Sequence, residues 1–372
     1  MKLIRLDRLT DTFIELTKID SPSFQEREMA DRLIRDLKKL GFSVWEDNAA
    51  EKVNGNAGNL YAFLPGTEGL PLLFSGHMDT VNPALNKKAQ IHPDGTITSS
   101  GDTVLGADDV SGLAVILEAV ASIQEDGLPH RPLEILFTIA EEPYDCGSEV
   151  FDYERIQSKE AYVLDLSGEI GGAAYAAPTI LSFCVEISGK ASHAGFAPEK
   201  GIHAIAAAAD AISHLKMGHI DGETTLNIGT IEGGTATNII PDRCVVNGEI
   251  RSYSHSAAKA ALKSAADRFA ESAASYGAQC SIKSREGCRA YEVPPDHPVI
   301  RRYQTACRKN GIEANLFKTF GGSDANNFSK YGITSIVIAN AMFNVHSCSE
   351  YTVPSDMAKV TEVVRCMMLG RD

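Results

Sequence analysis

Two spacings of apolar residues run through this chain, and the second interrupts the first. Before residue 180, helical spacing over residues 7–17 and 24–40 alternates with apolar runs at 59–64, 71–75, 133–140 and 161–166. Those runs are too short for helices and suit buried strands. Gly41 supplies a stop for the second helix. Residues 108–123 place Leu113, Ile116, Leu117 and Val120 on one helical face. Strands alternating with helices predict an α/β domain.

From residue 180 the order changes to strand (180–188), helix (201–214), two strands (224–231 and 243–253), a long helix (256–276) and a strand (279–286). This is the βαββαβ order of a ferredoxin-like unit. After Pro294-Pro295 the first spacing resumes, with a helix over 297–310, a strand over 334–339 and a closing helix over 355–369. The simplest account is a discontinuous domain of residues 1–179 and 294–372, interrupted by an inserted domain of residues 180–293.

Several function classes are disfavoured by composition. The 372 residues carry a net charge of −14, a field that repels phosphate backbones and anionic lipid surfaces. Neither nucleic acid nor membrane is an expected partner. There is no apolar run of membrane-spanning length, and charges interrupt the first ten residues where a signal core would stand. The eight cysteines are scattered without a Cys-x-x-Cys pair, so free thiols and a cytoplasmic setting are expected.

In open α/β sheets, ligands gather beyond the carboxyl ends of the strands. The run at 71–75 leads into His77 and Asp79, the run at 133–140 into Glu141-Glu142, the run at 161–164 into Asp165, and the run at 334–339 towards His346. Asp108-Asp109 opens the helix that follows a Gly-bearing loop. Each piece has a bland reading: a surface histidine, a helix-capping pair, a solvated loop, a turn aspartate. Together they place histidine and carboxylates on one rim, the donor set of an open zinc site.

The runs Gly-His-Met-Asp-Thr-Val at 76–81, Gly-Ala-Asp-Asp at 106–109, Glu141-Glu142, Val-Leu-Asp-Leu-Ser-Gly-Glu around Asp165, Ser-His-Ala-Gly at 192–195, Gly-Glu-Ile-Arg ending at Arg251, Gly-Gly-Ser-Asp-Ala-Asn at 321–326 and Asn-Val-His at 344–346 resemble the dizinc exopeptidase family. That family includes peptidase T, carboxypeptidase G and the aminoacylases, and the motifs stand in family order along the whole chain. The resemblance implies an α/β/α catalytic domain with an inserted ferredoxin-like lid and dimerisation domain. It also implies two zinc ions, with cobalt or manganese as alternatives.

Carried over position by position, the resemblance implies that Asp108 bridges the metals. His77 and Asp165 complete one, and Glu142 and His346 the other. Asp79 orients His77, and Glu141 is the general base. His193 stabilises the oxyanion, often across a dimer interface, while Arg251 and Asn238 contact substrate. The implied activity is release of the N-terminal residue of small peptides by a homodimer of the peptidase T branch. An N-acyl-amino-acid deacylase or carboxypeptidase would use the same metals, and a non-catalytic metal-binding protein would keep the fold alone. Departures from the peptidase T pattern fall beside ligands, at Val110, at residues 143–148 and at Ala339-Asn340-Ala341, and bear on substrate class.

Overall fold

In the computed structural model, residues 4–370 are described; residues 1–3 and 371–372, which the sequence reading assigns to the catalytic domain, lie outside them. The chain forms two compact units. One takes the residues up to Ala176, Glu292–Thr319 and those from Ser323 onward; the other takes Ala177–Tyr291 and Phe320–Gly322. The second unit thus starts three residues before the expected boundary and gathers a short loop, 320–322, that the sequence reading leaves in the first.

The first unit is built on a nine-stranded mixed sheet in the order Ser43–Glu46, Leu60–Leu64, Leu133–Thr138, Leu72–His77, Glu160–Leu166, Thr334–Ala339, Gly172–Ala177 and Tyr291–Glu292, with Asn315–Lys318 pairing Gly172–Ala177. Its four central strands are mutually parallel. Leu72–His77 and Leu133–Thr138 are buried at every residue, which is why they read as mainly apolar runs rather than alternations. Helix Ala107–Glu125 is buried on nearly every side, packed between Leu6–Thr17 and Pro354–Met368. Among the described residues, no helix is long and apolar enough to cross a membrane, and all eight cysteines are free.

Sequence spacing does not reveal Ser43–Glu46, Gly172–Ala177 or Asn315–Lys318. The run Gly-Ala-Ala-Tyr-Ala-Ala lacks the β-branched residues that mark a strand; its neighbours on the sheet impose the conformation. At the sheet centre, the Phe74 ring stacks on Tyr162 with centroids 5.5 Å apart, and both are fully buried. Phe74→Ala should cost about 3–5 kcal/mol through lost burial and a residual cavity. Trp45, the single tryptophan, lies in the same unit, so its fluorescence in a urea titration reports that loss.

The second unit is a five-stranded antiparallel sheet in the order Gly218–His219, Thr224–Gly233, Arg243–Ser252, Thr179–Ser188, Gln279–Cys288. Helices Ala204–Ser213 and His255–Ser275 cover one face. Phe183, Val185, Ile187, Val246, Ile250 and Phe269 form its core with a set of helix alanines, small enough to let helices lie close to the sheet. The Ser254 hydroxyl caps the long helix by accepting from Ala257 N at 3.3 Å. Thr179–Ser188 and Arg243–Ser252 pair without a break from Ile180↔Arg251 to Ser188↔Arg243. At roughly 3.3 Å per residue those two ends are about 26 Å apart.

Candidate metal centre

Because the central strands are parallel, their carboxyl ends share one edge of the sheet. His77 is the last residue of its strand. Glu141 and Glu142 follow the next strand after a turn at Ala140, which has φ +46°. Asp165 precedes the last residue of the third strand, and His346 follows the fourth. Asp108 joins them from the head of helix Ala107–Glu125, where its backbone departs from helical angles and its peptide to Asp109 is cis.

Two triads result, and they share Asp108. His77 Nε2 lies 3.0 Å from Asp108 Oδ1 and 3.7 Å from Asp165 Oδ1. His346 Nε2 lies 3.2 Å from Asp108 Oδ2 and 3.1 Å from Glu142 Oε2. Each oxygen of one carboxylate therefore faces a different triad, the disposition a bridging ligand requires. Glu141 belongs to neither triad.

The charges in the cluster favour cations. Burial drives Glu141 well above the usual carboxylate range, and the charges of Asp165 and Asp145 add to that. Burial likewise pushes Asp165 up to about 8, against the pull of its bond with His77. For Asp108, burial would raise it too, but hydrogen bonds from His346 and His77 reverse the sign and hold it low. Hydrogen bonds to Asp108 and Glu142 raise His346 to about 10 despite partial burial. Among the described residues, Asp108, Asp109, Glu141, Glu142 and Asp165 thus gather around two imidazoles, and Glu142 Oε1 is buried without a hydrogen-bond partner. A pair of divalent ions supplies the missing positive charge and the missing partner, so the donor set fits such a pair.

Metal removal should therefore loosen the fold as well as stop any reaction. Ions that bind only the folded state stabilise it by about 4 kcal/mol at a thousandfold excess over their Kd. Chelation followed by dialysis should lower the calorimetric melting temperature by several degrees, and added zinc should restore it; an unchanged melt would count against a bound metal pair.

Residues around the triads set the geometry. His77 Nδ1 pairs with the backbone oxygen of Asp79 at 2.9 Å, and the Asp79 carboxylate stands 3.5 Å away. That carboxylate accepts from Ser23 Oγ at 2.7 Å, Glu141 N at 2.9 Å and Glu142 N at 3.3 Å. Asp79 thus meets the His77 ring with both its main-chain oxygen and its carboxylate, and the carboxylate also holds the glutamate loop.

Asp109, read only as a capping neighbour, is fully buried. It accepts from His77 N at 3.1 Å, Gly112 N at 3.2 Å and Asn340 Nδ2. A Cβ on Gly76 would collide with that carboxylate, which accounts for glycine in the Gly-His-Met-Asp run. Glu350 accepts from Gly106 N at 2.7 Å and Asp108 N at 2.9 Å, fixing the residue that the two triads share. Glu26, whose Oε1 accepts from Ala140 N at 3.0 Å, and Glu350 stand in ordinary polar stretches, and no local pattern points to either.

His193, Asn238 and Arg251 all belong to the second unit. The loop after Thr179–Ser188 continues alongside the segment before Arg243: His193 bridges Ile239, and Ala194 N donates to Asn238 O at 2.9 Å. His193 and Asn238 therefore sit together beyond one end of the sheet, with Arg251 at the other. His193 Nδ1 accepts from Gly195 N at 3.1 Å and Phe196 N at 3.2 Å, so the neutral ring carries its proton on Nε2. Phe196, exposed, stacks on that ring with centroids 4.2 Å apart. The Arg251 fork is already paired: Nε and Nη2 donate to Glu249 at 2.6 and 3.2 Å, and Nη1 to Phe320 O at 2.6 Å. Glu249 lies two residues away on the same strand face, a partner the sequence reading left out.

A family model of the peptidase dimerisation domain matches residues 175–277, and one of peptidase family M28 matches residues 59–197. A tripeptidase from Staphylococcus aureus has 32% identical residues and a TM-score of 0.97, with all of both chains covered. The aminopeptidase PepT from Bacillus cereus has 36% identical residues and a TM-score of 0.92 over 99% of both chains. The chain belongs to the peptidase T-like dizinc exopeptidase family. Its fold is that family's mixed α/β sheet with an inserted dimerisation domain. The uncharacterized protein YqjE of Bacillus subtilis, 34% identical over 97% of this chain and 98% of its own, is similar along the same length.

Proposed function

We propose that this chain is a zinc-dependent aminopeptidase releasing the N-terminal residue of small peptides, tripeptides foremost. The observation that carries the reading is the division of the Asp108 carboxylate between two triads, with the buried Glu141 carboxylate in neither. A structural site would have no need of an unliganded carboxylate beside it. The names borne by the Staphylococcus aureus and Bacillus cereus proteins support the substrate class.

In this reading His77, Asp108 and Asp165 would hold one ion, and Asp108, Glu142 and His346 the other. Zinc suits these donors, as do cobalt and manganese. When bound, the pair supplies a water acidified towards neutrality and a polarised scissile carbonyl. Glu141 takes a proton on its carboxylate from the attacking water as the water oxygen bonds to the scissile carbonyl carbon, and delivers that proton to the amine nitrogen as the C–N bond breaks. Nε2–H of His193 donates to the developing oxyanion, and Arg251 binds the substrate carboxylate in exchange for Glu249.

The spacing within the second unit supports a homodimer. An extended tripeptide spans only about 10 Å, so one copy cannot place both Arg251 and His193 upon it. A second copy can lend His193 and Asn238, as a two-fold dimer would allow. The free cysteines support a cytoplasmic setting.

Amino-acid release from a panel of di- and tripeptides, free and N-acetylated, tests the substrate class. Cleavage of the free peptides only, lost on chelation and regained with zinc, is the expected result. Cleavage of the acetylated forms instead would make the chain a deacylase using the same centre.

A further inference from the structure

Three consecutive backbone N–H groups at the turn before the glutamate pair are bound by two buried carboxylates. Ala140 N donates to Glu26 Oε1 at 3.0 Å, Glu141 N to Asp79 Oδ1 and Glu142 N to Asp79 Oδ2. Ala140 holds φ +46°, a left-handed conformation that an alanine keeps only when its surroundings impose it. Rotation about Ala140 would swing the residue that follows it, Glu141. Glu26 is fully buried and stands directly before helix Arg27–Lys39. Its main-chain oxygen accepts from Ala30 N at 2.8 Å. The same Oε1 accepts from Phe24 N at 2.7 Å. Glu26 therefore ties the turn to a rigid helix on a distant part of the chain.

We propose that Glu26 is a positioning residue for the base: by holding Ala140 N it fixes the turn and aims the Glu141 carboxylate. This rests on the reading of Glu141 as general base. Glu26 touches neither triad, so its removal acts through the orientation of Glu141. Only Oε1 is used, since Oε2 has no hydrogen-bond partner. The function therefore needs a correctly placed acceptor rather than a negative charge, and a glutamine amide oxygen provides one.

The zinc-loaded full chain is compared with Glu26→Leu, Glu26→Gln and Glu26→Asp. The readouts are kcat and KM on trialanine, zinc content, melting temperature and amide exchange over residues 138–146. Glu26→Leu should lower kcat by about tenfold or more with KM nearly unchanged, since the lost geometry is felt in the transition state. Exchange at the turn should quicken. Glu26→Gln should restore kcat to within about threefold of wild type and slow the exchange again. Glu26→Asp keeps the charge but is one methylene short, and should resemble the leucine variant. It decides the matter if the leucine variant does not fold.

A folded, zinc-replete Glu26→Leu or Glu26→Asp protein with wild-type kcat overturns the proposal. So does a glutamine variant as impaired as the leucine one. If the wild-type enzyme leaves trialanine intact, the aminopeptidase reading fails by itself. Exchange at residues 138–146 in the same variants then tests the tie to Ala140 independently of any substrate.

Discussion

Mixing inactive Glu141→Ala protein with inactive His193→Ala protein should restore activity to about a quarter of wild type once subunits have reassorted at random. The reason lies in the register of the inserted sheet. Arg251 pairs with Ile180 at one end, and His193 lies beyond Ser188 at the other. That is too far for one copy to place both on a short peptide. In a mixed dimer, the site that keeps Glu141 receives an intact His193 from its partner, while the other site lacks both. Half of the randomly paired dimers are mixed, and each has one working site. Exchange under mild dissociating conditions, followed by an assay of alanine release from trialanine, gives the answer. No recovery despite proven subunit exchange would require His193 to act within its own chain.

Glu141→Gln should lower kcat by about 10²–10⁴-fold, the range of a general acid–base contribution, while the zinc content stays at its wild-type value. Glutamine keeps the shape and one oxygen but cannot accept the water proton. Glu141 is in neither triad, so the metal pair should persist. By contrast, Glu142→Gln alters a residue 3.1 Å from His346 Nε2 and should lose zinc together with activity. Measuring metal by atomic emission beside the kinetics separates the two glutamates. Equal zinc loss in both variants would mean that Glu141 is a ligand and that another group moves the proton.

Most of the architecture was legible because burial leaves periodic traces. The parallel strands appear as mainly apolar runs, and the inserted unit declares itself by six elements in the βαββαβ order, each found close to its expected span. Gly172–Ala177 left no such trace. Its alanines and glycine have no strand preference, and only pairing with Thr334–Ala339 and Asn315–Lys318 makes it part of the sheet.

The site divides in a similar way. His77, Glu141, Glu142 and Asp165 could be placed on one rim from sequence, because strand polarity puts everything that follows a parallel strand at the same edge. The chain by itself thus determined the layers, the insertion and the rim with its ligand types, since these follow from local spacing and strand direction. Only the tertiary structure decided that Asp108 turns one oxygen to each triad, that the Asp79 side chain also accepts from the backbone of Glu141 and Glu142, and that Glu26 holds Ala140. It also decided that Glu249 occupies the Arg251 fork and that Arg251 and His193 stand at opposite ends of a sheet. Each of these depends on the direction in which a side chain or a backbone N–H points once distant segments have packed together, and residue spacing along the chain carries no record of that direction.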